Sequence, residues 1–89
     1  MIEVSFSSAF IRSFKRSIGK DPARRERFQN ALETTIQDPF TESLRTHKLA
    51  DKLNGRWSFT VEYDARVIFR FAEKGRAVFE AIGTHNLVY

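Results

Sequence analysis

The chain has no cysteine, which excludes a disulfide framework and any thiolate metal site. Its two histidines are too few to form a metal site by themselves. No glycine-rich phosphate loop, carboxylate-rich metal cluster or serine nucleophile motif is present. No charged leader precedes an apolar segment, and no apolar run approaches the roughly 18 residues that cross a bilayer. We therefore expect a soluble, cytoplasmic protein with no metal, no cofactor and no membrane contact.

Acidic residues are scarce relative to basic ones. Fifteen Lys and Arg against 11 Asp and Glu give a net charge of +4 and a pI near 9.9. This balance suits an anionic partner, whether nucleic acid, an acidic protein or an anionic surface. The 89 residues make one domain, 1–89, and a chain this short buries only about two thirds of its unfolded surface. Modest stability, and help from a partner protein, are therefore expected.

The first half of the chain has the periodicity of one strand and two helices. Residues 2–6 alternate apolar and polar side chains, as a strand with one buried face does. Ser7 or Ser8 can cap a helix whose apolar residues recur every four positions, and Gly19 ends it. Asp21-Pro22 opens a second helix, which ends before Pro39. The apolar stripe of the first helix consists of Phe6, Phe10, Phe14 and Ile18.

A polar connection, 40–55, leads to three strands. Leu44, Leu49 and Leu53 are spaced as anchors in this connection, which has room for a short strand over 47–49. Strict alternation then predicts strands on both sides of a tight turn near Asp64, and Lys74-Gly75 predicts a second hairpin turn. One predicted face carries Trp57, Phe59, Val61, Tyr63, Val67, Phe69 and Phe71; the other carries Ser58, Thr60, Glu62, Arg66, Ile68 and Arg70. The fold class is α+β, in the order β-α-α-β-β-β, with an antiparallel sheet packed on two helices.

Five residues in the second half could carry chemistry. Arg66 interrupts an apolar strand from its polar face, where its guanidinium fork suits a phosphate. His85 follows the last strand, where an imidazole can act as a general acid or base. His47-Lys48 lies in the connection, and Tyr89, at the end of the sequence, can stack on a base or donate its hydroxyl. Each of these residues also has a structural interpretation as an ordinary polar surface group.

The densest basic run follows the second helix and suits a phosphate backbone or a solvated loop equally. It consists of Arg45, Lys48, Lys52 and Arg56. Cleavage of RNA requires no metal, because the ribose 2′-OH attacks the neighbouring phosphate once a base removes its proton. A cation steadies the added charge, and an acid protonates the leaving oxygen. Imidazole, guanidinium, ammonium and phenol groups are sufficient for this chemistry.

Over essentially its whole length the chain resembles the RelE/ParE superfamily of bacterial type II toxins, and within it the RelE and YafQ-like mRNA interferases. The resemblance rests on the element order and on three segments: Leu53-Asn54-Gly55-Arg56-Trp57-Ser58, Ala65-Arg66-Val67-Ile68-Phe69 and Gly83-Thr84-His85-Asn86-Leu87-Val88-Tyr89. It implies an endoribonuclease that cleaves mRNA in the ribosomal A site and is silenced by a cognate antitoxin.

The resemblance also implies roles for individual residues. Arg66 would stabilise the phosphate, His85 would transfer a proton, Tyr89 would position the substrate and His47 would assist. RelE-type lysines on the second strand are replaced by Ser58 and Thr60, which excludes a lysine base there. The base is then His47, His85 or a carboxylate such as Glu42. Two alternatives stay open: a non-enzymatic ParE-like inhibitor of DNA gyrase on the same scaffold, and an inactive toxin remnant.

Overall fold

The computed structural model describes residues 1–84 and confirms the predicted order of elements, including the short strand for which the connection has room. The elements are β1 (Glu3–Phe6), α1 (Ser8–Ser17), α2 (Pro22–Gln37), β2 (His47–Lys48), β3 (Trp57–Glu62), β4 (Ala65–Phe71) and β5 (Arg76–Gly83), and single 3₁₀ turns cover Glu42–Leu44 and Asp51–Leu53. Within residues 1–84, no helix is both long and apolar enough to cross a bilayer.

Both helices begin at the residues that the sequence predicts. The Ser7 hydroxyl accepts a hydrogen bond from the Phe10 amide at 3.0 Å, which satisfies a free N–H of the first turn of α1. Asp21 accepts from the amides of Ala23 and Arg24 at the start of α2, and Pro22 occupies the first helical position. Local chemistry therefore fixes where each helix starts.

The five strands form one mixed sheet in the order β1-β5-β4-β3-β2. The strands β2 to β5 pair antiparallel, as predicted, but β1 joins β5 in parallel, with Glu3 opposite Arg76 and Phe6 opposite Phe79. The expectation of a purely antiparallel sheet is corrected at this edge. Alternation along β1 reports a buried face and carries no information about which strand lies beside it.

Three serines form hydrogen bonds with the backbone of β5 where this strand no longer pairs with β1. Pairing with β1 ends at Phe79, which leaves the backbone of the following residues on an open edge. The Ser13 hydroxyl accepts from the Ile82 amide at 3.0 Å, and the Ser17 hydroxyl donates to the Ile82 carbonyl at 3.4 Å. Ser7 donates to the Glu80 carbonyl at 3.4 Å. Serine hydroxyls in and before α1 therefore replace the hydrogen bonds that a neighbouring strand would form.

The main core lies between the two helices and the sheet, and phenylalanine dominates it. Phe59, Phe69 and Phe79 are completely buried, on three adjacent strands. The ring of Phe79 lies 5.6 Å from that of Phe10 and 5.4 Å from that of Phe59, in edge-to-face geometry. Such contacts add to the free energy gained by burying the rings. The apolar stripe of α1 is confirmed at Phe10, Phe14 and Ile18, which belong to this core or pack against it.

A β-bulge at the end of β3 reverses the predicted orientation of two residues. The register between β3 and β4 shifts between Thr60 and Glu62, so the alternation changes phase there. Glu62, predicted on the face away from the helices, accepts ion pairs from Arg24 at 3.0 Å and Arg27 at 2.8 Å, both on α2. Tyr63, predicted with the core residues, is 96% exposed. Glu62 thereby links the end of β3 to α2.

Replacing Phe79 with Ala should lower the free energy of unfolding by about 3–5 kcal/mol, because a fully buried ring is removed from the centre of the core. Urea denaturation measures this loss as a lower transition midpoint. Tyr63→Ala is the matched control; it removes an exposed aromatic ring and should change the free energy by no more than about 0.5 kcal/mol. Equal losses in the two variants would contradict the assignment of Phe79 to the core.

Candidate nucleic-acid interface and active site

The face of the sheet opposite the helices, which we call the open face, carries the candidate residues in rows. Directly opposite residues of antiparallel strands share a face, so the pairing register places side chains together. The first row is Thr60, Arg66 and Gly83; the second is His47, Ser58, Ile68 and Ala81; the third contains Arg70 and Val78. The register thus brings His47 and Arg66 to one face, on the two strands that flank β3.

A small apolar cluster covers the middle of the open face. Leu49 and Ile68 are buried there, with Leu53 and Ala81 packed against them. The prediction that leucines anchor the connection is confirmed, and they anchor it on opposite faces: Leu44 joins the main core, whereas Leu49 joins this second cluster. The segment 49–53 therefore divides the open face into a region around Arg66 and a region around Arg70.

Arg66 and Arg45 line one open cleft of about 760 Å³. One Nη atom of Arg66 donates to the backbone carbonyls of Glu62 at 3.3 Å and Tyr63 at 3.2 Å, which are at the turn between β3 and β4. Among the described residues, these bonds use one Nη atom of the guanidinium and leave its other N–H donors for a ligand. The turn thus positions Arg66 as a fixed fork, the geometry that suits phosphate oxygens.

The tautomer of neutral His47 is set by the backbone. Its Nδ1 lies 3.0 Å from the carbonyl oxygen of Arg45, which can only accept a hydrogen bond. Nδ1 must therefore carry the proton, and Nε2 carries the lone pair. Arg45 adopts a left-handed conformation, with φ of 53°, that ends the preceding 3₁₀ turn and directs this carbonyl.

Ser58 lies beside His47 and is completely buried, yet within the described part of the chain its hydroxyl has no hydrogen-bond partner. A buried hydroxyl without a partner is unfavourable by about 1–3 kcal/mol. Ser58 is directly opposite His47 on one side and Ile68 on the other. This polar group is a destabilising feature located within the candidate site.

The remaining members of the basic run do not converge on this cleft. Lys48 lies over the ring of Trp57, with its Nζ 5.5 Å from the ring centroid, on the helix-facing side of the sheet. It is therefore on the opposite face of the sheet from His47. Lys52 is exposed in the 3₁₀ turn Asp51–Leu53, and Arg56 forms an ion pair with Glu80 at 2.9 Å.

His85 and Tyr89 lie outside the described residues. The last described strand does end beside the cleft, because Gly83 is directly opposite Arg66.

Sequence reasoning placed Arg70 on the same face as Arg66 but gave it no function, and it missed Glu80 altogether. A function for Arg70 could have been suspected, since it alternates with Arg66 on the same strand. Glu80 could not, because a second β-bulge, between Ile68 and Phe69 in the β4–β5 register, places its carboxylate beside Arg70. Bulges have no reliable sequence signal in an alternating segment.

Neutral His47 should be protonated on Nδ1, because its partner is a carbonyl oxygen. A long-range proton–nitrogen correlation spectrum, recorded on the neutral imidazole, should identify Nε2 as the nonprotonated nitrogen. The variant His85→Gln leaves a single imidazole in the chain and makes the assignment unambiguous. A nonprotonated Nδ1 would contradict the bond to Arg45.

Ser58→Ala should leave the free energy of unfolding unchanged or raise it by about 1 kcal/mol, because it removes a buried hydroxyl for which residues 1–84 provide no hydrogen-bond partner. Ser13→Ala is the matched control: it removes the acceptor of the Ile82 amide and should lower stability by about 1–2 kcal/mol. Chemical denaturation of both variants measures the difference. A loss at Ser58 as large as that at Ser13 would show that the Ser58 hydroxyl is satisfied.

Comparison with known proteins gives a result only at the level of structure. No family model matches the sequence, and no curated protein is significantly similar to it. Solved structures that share its fold are significantly similar along nearly the whole chain.

The chain is similar to a YoeB/ParE toxin from Agrobacterium tumefaciens, with a TM-score of 0.79 and 15% identity over 94% of this chain and 99% of that one. It is also similar to YafQ in the Escherichia coli DinJ–YafQ complex, with a TM-score of 0.70 and 21% identity over 100% of this chain and 99% of that one. A chain of the heterotetrameric YoeB–YefM toxin–antitoxin complex from Staphylococcus aureus is similar as well, with a TM-score of 0.75 and 14% identity over 96% of this chain and 98% of that one. The chain therefore has the fold of the RelE/ParE-superfamily toxins.

Proposed function

We propose that this chain is the toxin of a type II toxin–antitoxin system and that it is an endoribonuclease cleaving mRNA on the ribosome. The observation that carries the proposal is the placement of His47 and Arg66 on one face, flanking β3. Strand spacing and residue rise put their Cα atoms about 12 Å apart. Two long side chains at this separation can reach opposite sides of one phosphate.

The proposed reaction is an attack of the ribose 2′ oxygen on the adjacent phosphorus. His47 accepts the 2′-OH proton through Nε2, the nitrogen that its bond to Arg45 leaves with a lone pair. The bond from phosphorus to the 5′ oxygen breaks, and His85 donates a proton to that oxygen. Arg66 stabilises the negative charge that builds on the phosphate. The products are a cyclic 2′,3′-phosphate end and a 5′-hydroxyl end.

The other predicted residues hold the substrate in this proposal. Arg45 lines the same cleft as Arg66 and contacts the RNA backbone. Tyr89 positions the substrate by stacking, and Lys52 and Arg56 contribute positive charge, with Lys48 more distant on the other face. Affinity that depends on such contacts falls as salt concentration rises.

A protein partner is supported by an apolar groove on the helix side. Phe6 is 45% exposed and Ile11 is 46% exposed, and with Phe14 and Phe28 they line a groove of about 310 Å³. A contiguous apolar surface of this kind on a small protein favours binding of a partner chain. Similar toxins form complexes with the antitoxins YefM and DinJ. We assign the groove to a cognate antitoxin of this chain.

Substitution of the proposed catalytic groups should abolish cleavage. Arg66→Ala and His47→Ala should each lower the rate of mRNA cleavage on programmed ribosomes by about 100-fold or more, because each removes a group that acts in the transition state. Primer extension on the cleaved message measures the rate. Arg12→Ala is the matched control, since Arg12 is an exposed arginine on α1, and it should cleave normally.

The outcomes separate the possible functions. If both active-site variants cleave as fast as the wild type, the assignment of the site is wrong. If His85→Ala is inactive while His47→Ala is active, the base is His85. Growth arrest with a DNA-damage response and intact mRNA would favour a gyrase inhibitor, and no growth arrest on expression would favour an inactive toxin.

A further inference from the structure

Three charged side chains form a cluster on the open face, on the far side of the Leu49–Leu53 segment from Arg66. The two carboxylate oxygens of Glu80 accept from two arginines: Oε1 from Nε of Arg56 at 2.9 Å and Oε2 from Nε of Arg70 at 3.0 Å. The side chain of Glu80 is 24% exposed, and those of the arginines are 41% and 42% exposed. The cluster therefore carries one net positive charge at the surface.

The carboxylate of Glu80 orients both guanidinium groups, and it holds each one at the same nitrogen, Nε. Each arginine is held by Nε, and among the described residues no acceptor binds the Nη atoms of either one. Each guanidinium group therefore keeps the pair of parallel N–H donors on its outer edge, and both groups are held by one carboxylate. This arrangement matches the oxygens of a phosphate, which accept paired N–H bonds and balance the excess charge.

We propose that Arg56 and Arg70, oriented by Glu80, form a second phosphate-binding site that holds the RNA backbone away from the scissile bond. This inference rests on the proposed function. Arg66 and Arg70 project from the same face of β4, four residues apart, which separates their Cα atoms by about 13 Å. One single strand that lies on the open face can therefore contact both arginines with different phosphates. Glu80 is a positioning residue for this site.

The position of the cluster favours RNA over an acidic protein. It shares the open face with His47 and Arg66, whereas the exposed apolar groove is on the helix side. A protein partner gains most of its binding free energy from apolar contacts of the kind that the groove offers. Around the cluster, the exposed arginine surface offers mainly charge, which suits a phosphate backbone.

The test is the salt dependence of binding to a single-stranded oligonucleotide whose riboses are 2′-O-methylated, so that no cleavage occurs. Fluorescence anisotropy should show that Arg70→Gln weakens binding about tenfold. The slope of log affinity against log salt should become shallower by about 0.7, the value for one lost phosphate contact on a single strand. Arg12→Gln removes the same charge from α1 and should leave the slope unchanged. Thermal unfolding should show both variants folded, because an exposed ion pair contributes little to stability.

Glu80→Ala provides an independent check on positioning. It leaves both arginines in place but removes the group that orients them, so affinity should fall while the salt slope stays close to that of the wild type. If Arg70→Gln and Arg12→Gln behave alike, the second site is wrong, although loss of binding in Arg66→Gln would still support the proposed function. A wild-type chain that binds no RNA overturns both. Weaker binding of Arg70→Gln to the antitoxin, with RNA affinity unchanged, overturns the RNA site and identifies a protein contact.

Discussion

The candidate site depends on how β5 is held at both of its edges. One edge pairs with β4 along its whole length, and the other pairs with β1 only as far as Phe79. Beyond that point, hydroxyl groups of Ser13 and Ser17 on α1 satisfy the backbone of Ile82. Buried backbone groups must find partners, so this substitution permits β5 to continue to Gly83. Without it, the strand would lose support before the residue that faces Arg66.

Two β-bulges decide which charges reach the open face. The bulge in β3 turns Glu62 toward α2, where it forms ion pairs with Arg24 and Arg27, and among the described residues no carboxylate pairs with Arg66. The bulge in β5 places Glu80 on the open face, where it orients Arg56 and Arg70. One β-bulge thus turns a carboxylate away from the face of Arg66, and the other brings a carboxylate to Arg56 and Arg70. The two proposed phosphate-binding sites differ for that reason.

The sequence predicts features that depend on neighbouring residues, and it misses features that depend on contacts between distant strands. The helix starts at Ser7 and Asp21 were predicted because capping is local. The faces of β4 were predicted because the period of a strand is two. The parallel pairing of β1, the orientations of Glu62 and Tyr63 and the place of Lys48 over Trp57 were missed. Each of these depends on a neighbouring strand or on a shift of register, which alternation does not encode.

The sequence by itself determined an α+β domain with two capped helices, a phenylalanine core and an arginine at position 66 on the polar face of a strand. It did so because periodicity and capping act over a few residues. Only the tertiary structure decided that His47 shares this face, that the Arg45 carbonyl fixes its tautomer, and that Arg70 and Glu80 join Arg56. These relations arise between strands that are distant in sequence, where pairing register and bulges set the position of each side chain.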